Sequence, residues 1–385
     1  MRSSSLTACL LCRWLAIAGL WLAAAVVTAG EAGRDSQVPG HEQAEALGDG
    51  NAGKQRSFVV MPIPLSNPSL GSGLVLSAVL FYRPQGSERP WISGAGALWT
   101  DNGSRGAGVF QKAYLRQDSY RLTAGVGRAD FNLRFYGIGS AQGDNDRAIK
   151  FNQQANVIYA ELLRKAAANQ YAGLVLWQMD SSVRPRFDRA APDGLELPPL
   201  DLETRLLGPG LAYEFDTRDN EQWPSRGSYA SASLRWSLDA FGADREYGQL
   251  KLHYNHYRTL GERSVLALRA SACGTSSRAP FFQLCQFGAN SDLRGYEAGQ
   301  YRDRTLLATQ GEYRFQFTPR WGAVAFAGVG GVGHDLGDYR MNDLLPAAGV
   351  GLRFKASLAY DVNVRVDYAR GKDSDGLYFA IGEAF

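Results

Sequence analysis

The sequence is poor in the residues that most enzymes and metal proteins draw on. Cysteine, histidine and methionine occur only 4 times each in 385 residues. His253 and His256 look like a ligand pair, but three apart on a strand they point to opposite faces. No Gly-x-Ser-x-Gly occurs, so a lipase of that type is excluded. Gly328-x-Gly330-Gly331-x-Gly333 lacks a following helix and reads as strand glycine, not as a dinucleotide site. Gly143-Asp144-Asn145-Asp146 has no distal glutamate and reads as a solvated loop. Lysine plus arginine (41) nearly balance aspartate plus glutamate (38), and no basic tail invites nucleic acid. Beyond residue 30 there is no run of eighteen apolar residues, which excludes a transmembrane helix there. The mean hydropathy of −0.25 excludes a polytopic helical membrane protein but not a barrel, whose strands are only half apolar. Neither an enzyme, a metal site nor a cofactor is expected.

What is present begins with a leader. Arg2 and Arg13 precede an apolar core from Trp14 to Val27, and Val27-Thr28-Ala29 suits a small-residue cleavage site. Residues 1–29 are therefore expected to be a signal peptide. It carries away Cys9, Cys12 and both of those arginines, which lowers the net charge of +3 to about +1. Residues 30–56 are Gly, Glu, Asp, Gln and Ala with almost no aromatic or branched residue, the composition of a disordered linker. Cys273 and Cys285 remain. Twelve positions apart in an exported chain, with no histidine near them in sequence, they are expected to form a disulfide.

From Phe58 onward the pattern is period two. In Tyr360–Tyr368 one face is Tyr, Val, Val, Val, Tyr and the other is Asp361, Asn363, Arg365, Asp367. A soluble sandwich also alternates. Here the apolar faces often end in Tyr, Trp or Phe, which suits an interfacial girdle, and the polar faces are densely charged, which suits an aqueous lumen. Sixteen strand-like spans follow, an even number, as single-chain bacterial barrels require. The short connections at 117–118, 166–168, 261–263 and 318–320 fall at one end; the long ones at 130–148, 184–203, 274–303 and 333–345 fall at the other. The expected fold is an all-β, 16-stranded antiparallel transmembrane β-barrel over residues 57–385.

Three motifs carry a family resemblance. The long connection holds Leu293-Arg294-Gly295-Tyr296. A short turn holds Asp216-Thr217-Arg218-Asp219-Asn220, followed by Pro224 and by Gly227-Ser228-Tyr229. The chain closes on Phe379-Ala380-Ile381-Gly382-Glu383-Ala384-Phe385. These resemble the lumen-loop motif, the turn motif and the C-terminal assembly signal of the BamA/TamA surface-antigen superfamily of outer-membrane barrels. The resemblance implies that the loop folds back and docks Arg294 on the inner wall. Glu312 matches one of the family's acceptors; the other, an aspartate in Phe-x-Asp-x-Gly, is replaced by Gly328, leaving the usual pair half missing. It also implies a location in the bacterial outer membrane. The function would lie in insertion or translocation of polypeptides or in lipid homeostasis; a passive channel or structural barrel is the alternative. Residues 30–56 are too short for one polypeptide-transport-associated domain of the kind relatives carry. The implied partners are outer-membrane lipid, the assembly machinery for the barrel's own insertion, and a client polypeptide or periplasmic partner.

Pro62 and Pro64 stand two apart in the first strand, so both missing donors fall on one edge. Either they end that strand early, or they leave its free edge, facing the last strand, as a weak closing seam.

Overall fold

The computed structural model describes residues 56–67, 70–82, 84, 87, 91–140, 148–186, 203–220, 223–288, 293–355 and 363–385. The expected leader and linker (residue 56 excepted) and the 143–146 loop lie outside these residues. The wall comprises β1 (Arg56–Asn67), β2 (Gly71–Tyr82), β3 (Trp91–Thr100), β4 (Arg105–Leu115), β5 (Tyr120–Phe135) and β6 (Ile149–Ala167). It continues through β7 (Gln170–Pro185), β8 (Glu203–Asp216), β9 (Gly227–Ser237), β10 (Tyr247–Gly261) and β11 (Ser264–Thr275). Two-residue strands β12 (Cys285–Gln286) and β13 (Arg302–Asp303) pair with each other inside the long connection. The wall resumes with β14 (Thr305–Gln316), β15 (Trp321–Gly333), β16 (Leu345–Lys355), β17 (Asn363–Arg370) and β18 (Asp375–Ile381).

Apart from the β12–β13 pair, these strands make one 16-stranded antiparallel sheet in simple up-and-down order, β1 to β18. It is a nearly closed barrel. Each ladder joins chain neighbours, with β11 paired directly to β14 across the long connection. Side chains alternate between the two faces, and the usual burial rule is inverted. Leu174 is 64% exposed and Val350 60%, while Arg294 and Glu312 are wholly buried. Over the belt the outward side chains are largely apolar, while the buried charges point inward beside an apolar cluster that includes Val157, Leu163, Trp177 and Leu206. No helix among the described residues is long and apolar enough to cross a membrane, which says nothing against strands crossing it.

β5 runs six residues past its expected end at 129, because Phe131, Leu133 and Phe135 continue the alternation in register with Gln153, Phe151 and Ile149. The prolines do not end β1. Pro62 stays in register with Leu76 and Pro64 with Leu74, and pairing to β2 runs on to Asn67.

Candidate functional site: a loop locked in the barrel

The connection from β11 to β14 turns into the lumen and is tied down at three levels. At its base, Cys273 and Cys285 are disulfide-bonded with Cα atoms 5.8 Å apart. β12 and β13 clip its two arms together in the pairs Cys285–Asp303 and Gln286–Arg302. Phe287, Leu293, Tyr296 and Tyr301 then pack with Leu306, Ala308, Val332 and Leu345 of the wall. Removing the crosslink (Cys273→Ser with Cys285→Ser) is expected to loosen the loop by roughly 3 kcal/mol, by the chain entropy of a closure of this length. Protease cleavage between residues 274 and 303, faster in the double variant than in wild type, checks this.

Arg294 sits at the tip. Its Nη1 donates to Asp367 Oδ2 at 2.5 Å, and its Nε and Nη2 both donate to Gln310 Oε1, at 3.2 and 3.0 Å. Nη2 also donates to Glu312 Oε1. The guanidinium lies 3.5 Å over the Phe326 ring. The second acceptor is therefore not missing, as the glycine at 328 suggested. Asp367, on β17, supplies it from two strands further round the wall. Position 328 serves packing instead: a Cβ there would stand 2.7 Å from Leu293 Cδ1 and 2.6 Å from the Thr309 carbonyl. Restoring the family's acid with Gly328→Asp is expected to displace the loop rather than strengthen it. The readout is a lower thermal midpoint; an unchanged or raised one refutes this.

The two carboxylates hold further cations. Arg365 Nη1 lies 2.6 Å from Asp367 Oδ2 and Arg353 Nη1 2.5 Å from Asp367 Oδ1. Arg314 Nε donates to Glu312 Oε2 at 3.1 Å, and Arg353 Nε to Glu383 Oε2 at 2.8 Å. Asn363 Nδ2 donates to the other Glu383 oxygen at 2.9 Å. Four arginines and three carboxylates thus form one buried network across β14, β16, β17 and the tail. Such pairs are stable only as a set, because each charge taken from water needs its partners.

The rest of the motif latches the loop to the β17–β18 turn. Gly295 adopts φ 111°, and a Cβ on it would come within 2.8 Å of Gly371 N. Its N–H donates to Tyr378 Oη at 2.9 Å, and its carbonyl accepts from Ser374 Oγ at 2.7 Å. Tyr296 Oη donates to the Pro346 carbonyl at 2.5 Å and accepts from Lys372 N at 3.1 Å. Tyr301 Oη donates to Asp373 Oδ2 at 2.5 Å. Burial and then the Asp373 charge hold the Tyr301 hydroxyl above its ordinary pKa, so it stays a donor.

At the short-turn end, Arg218 forks onto Asp216, with Nε to Oδ1 at 2.9 Å and Nη2 to Oδ2 at 2.8 Å. Asp219 accepts the backbone N–H groups of Asn220, Ser225 and Arg226. Gly227 has φ 100°, and a Cβ there would meet the Thr217 carbonyl at 2.2 Å; Pro224 is buried beside it. Burial opposes the Asp219 charge, but the Ser225 hydroxyl and the three N–H donors outweigh it, and the carboxyl is held below its usual range. Its contribution is thus present above the unfolded aspartate value of about 3.9 and is lost as pH falls through the lower folded value. Asp219→Asn is expected to flatten this acid dependence of turn protection, read by hydrogen exchange at residues 225–226.

The closing residues depart from the alternating pattern assumed for an assembly signal. Leu377 and Phe379 face outward. Gly382, at φ 82°, donates its N–H to the Asn363 carbonyl and turns the chain inward. Phe385 is buried with Tyr257 and Ala267, and its carbonyl oxygen accepts from Arg314 Nη2 at 2.7 Å. His253, on the lumen side, meets Arg269 and Ser271, whereas His256 meets Ser228.

Every neighbouring pair of wall strands is joined by a ladder except β1 and β18. Among the described residues these two approach within 8 Å but share no ladder.

A 16-stranded, nearly closed barrel with outward apolar faces and a charged lumen holding its own loop defines a class of transmembrane barrel. The Omp85 superfamily domain matches residues 81–385, and the chain belongs to that superfamily. Among solved structures, it is similar to BamA from Haemophilus ducreyi lacking POTRA domains 1–3, with TM-score 0.57 and 15% identity over 86% of this chain and 69% of that one. It is also similar to CdiB from Acinetobacter baumannii (TM-score 0.57, 12% identity, 86% of this chain) and CdiB from Escherichia coli (0.55, 12%, 86%). It spans 60% and 63% of those two chains. At such identities the likeness is one of fold.

Sequence reasoning missed Asp367, Arg353, Arg365, Glu383, Tyr378 and Asp373, whereas Gln310 shares the polar face of Glu312 in the sequence. Asp367 and Arg365 were visible as the polar face of a strand, but only the closed wall brings that face to Arg294.

Proposed function

We propose that this chain is a non-enzymatic barrel of the bacterial outer membrane that inserts or translocates polypeptides, or moves lipid, by opening between β1 and β18. The observation that carries this reading is the missing ladder between those two strands among the described residues. In hydrocarbon an unpaired backbone group costs several kcal/mol, so a seam without a ladder is the place where the wall parts most readily. Pro62 and Pro64 stay in register with β2, and a strand kept on that ladder best spares donors on its other edge, towards β18. The docked loop supports the same reading. Lodged in the lumen on a buried ion network, it obstructs simple diffusion and holds the wall on one side of the seam. Its partners would be membrane lipid, a client chain and the assembly machinery for the barrel's own insertion.

Two measurements test this. A tagged barrel should co-purify with specific envelope polypeptides, and its deletion should reduce their membrane levels or disturb lipid asymmetry. An unchanged envelope in the deletion strain, together with steady single-channel conductance of the purified barrel, would establish the passive channel instead.

A further inference from the structure

β5, β6 and β7 are 16, 19 and 16 residues long, against 12 and 13 for β14 and β15. At ~3.3 Å per residue and ~40° tilt, a strand of β6's length rises ~48 Å, about twice the ~25 Å apolar belt of such barrels. The outward side chains show where the excess lies. Reading across β5, β6 and β7, the rungs Leu122–Leu162–Leu174 and Ala124–Ala160–Leu176 are apolar, and Val126–Ile158–Gln178 ends the belt. Above it come Arg128–Asn156–Asp180, Asp130–Gln154–Ser182, Asn132–Asn152–Arg184 and Arg134–Lys150. The outward faces of β14 and β15 carry no charge along their whole length.

In this polar region lies a cleft of about 420 Å³ lined by Gly103, Arg105, Asp130, Asn132, Asn152, Gln154, Arg184 and Arg186. Three guanidinium groups face one carboxylate there. Asp130 is already shared by Arg105, at 3.2 Å, and Asn152 Nδ2, at 2.6 Å. Arg186 is held only by the neutral Asn132 Oδ1, at 3.0 Å, and Arg184 has no polar partner among the described residues. Among the described residues the cleft therefore presents two cations without an anion, beside amide groups suited to hydroxyls. It opens outward, at the long-connection end, one polar rung above the apolar belt.

We propose that this cleft binds the phosphate groups of a phosphorylated sugar headgroup on a lipid of the outer leaflet. Guanidinium forks match phosphate oxygens, and the amides of Asn132, Asn152 and Gln154 match the sugar. A lipid whose chains lie against Val126, Ile158 and Leu176 carries its headgroup to this height. The site is separate from the β1–β18 seam and does not depend on what passes there, only on the membrane placement.

Native mass spectrometry of the intact barrel in neutral detergent, titrated with diphosphorylated lipid A, tests the proposal. Wild type is expected to retain the lipid, and Arg105→Gln with Arg184→Gln and Arg186→Gln to retain it ~10-fold less, about 1.4 kcal/mol. The triple lysine variant should fall between them, since it keeps the charge without the fork. Wild type should retain dephosphorylated lipid A no better than the triple glutamine variant retains the phosphorylated form. Equal retention of the phosphorylated and dephosphorylated lipids by wild type would overturn the proposal, and so would unchanged retention by a folded glutamine variant. Complete displacement by inorganic phosphate would overturn it in favour of a free-anion site. The comparison of the two lipids on wild type decides the matter even if the variant does not fold.

Discussion

Replacing Arg294 with alanine is expected to release the loop from the lumen and to lower stability by about 3–5 kcal/mol, the penalty of removing one partner from a buried ionic set. The size follows from what stays behind. Glu312 keeps Arg314, and Asp367 keeps Arg353 and Arg365, but the two lose the cation that bridges them directly. Gln310 loses both donors to its amide oxygen, and Phe326 loses the guanidinium on its face. Lysine should not substitute well, because an ammonium cannot bridge two carboxylates and an amide in one plane. The incoming arm remains tied to β11 by Cys273–Cys285 and clipped to the outgoing arm by β12–β13, so release should be confined to the tip. Measured as thermal midpoint and as protease access to residues 293–301, Arg294→Ala should differ sharply from wild type and Arg294→Lys nearly as much. A variant as resistant as wild type would mean that apolar packing by Leu293 and Tyr296 alone holds the loop.

Restoring the missing donors in β1 should act in the opposite sense on the seam. If their nitrogens face β18, as the proposed seam requires, Pro62→Ala with Pro64→Ala returns two N–H groups to that edge while leaving the register with β2 intact. Each hydrogen bond gained is worth about 1 kcal/mol net, and more where hydrocarbon replaces water as the alternative. The double variant should be more stable than wild type by about 2–3 kcal/mol and should protect the amides of β1 and β18 from exchange. If the seam is where substrate passes, the same variant should fail to complement a deletion strain. Full complementation with a protected seam would separate the seam from the function; no change in protection would mean that the prolines do not control it.

Both predictions rest on features that were unequally legible beforehand. The docking loop announced itself by composition, since an outer connection holding Leu-Arg-Gly-Tyr among glycines and charges needs a specific place to pack. The Glu312 face was readable from strand periodicity. Asp367 was not, because its distance to Arg294 depends on how many strands separate them around a curved wall. The inward turn of Phe385 was equally hidden: strict alternation would have kept it on a strand face, and Gly382 breaks that alternation by its backbone angle.

Local chemistry therefore determined the elements. Side-chain period two, proline and glycine positions and the spacing of turns were enough for strand number, the face each residue takes and the level of the loop, because these depend on neighbours one to three positions away. Closure decided the rest. Which carboxylate meets Arg294, which end strands lack a ladder and where three arginines converge outside the belt all depend on residues 73 or more positions apart. Such contacts arise from the register and curvature of the whole sheet, and no local window of the sequence encodes those.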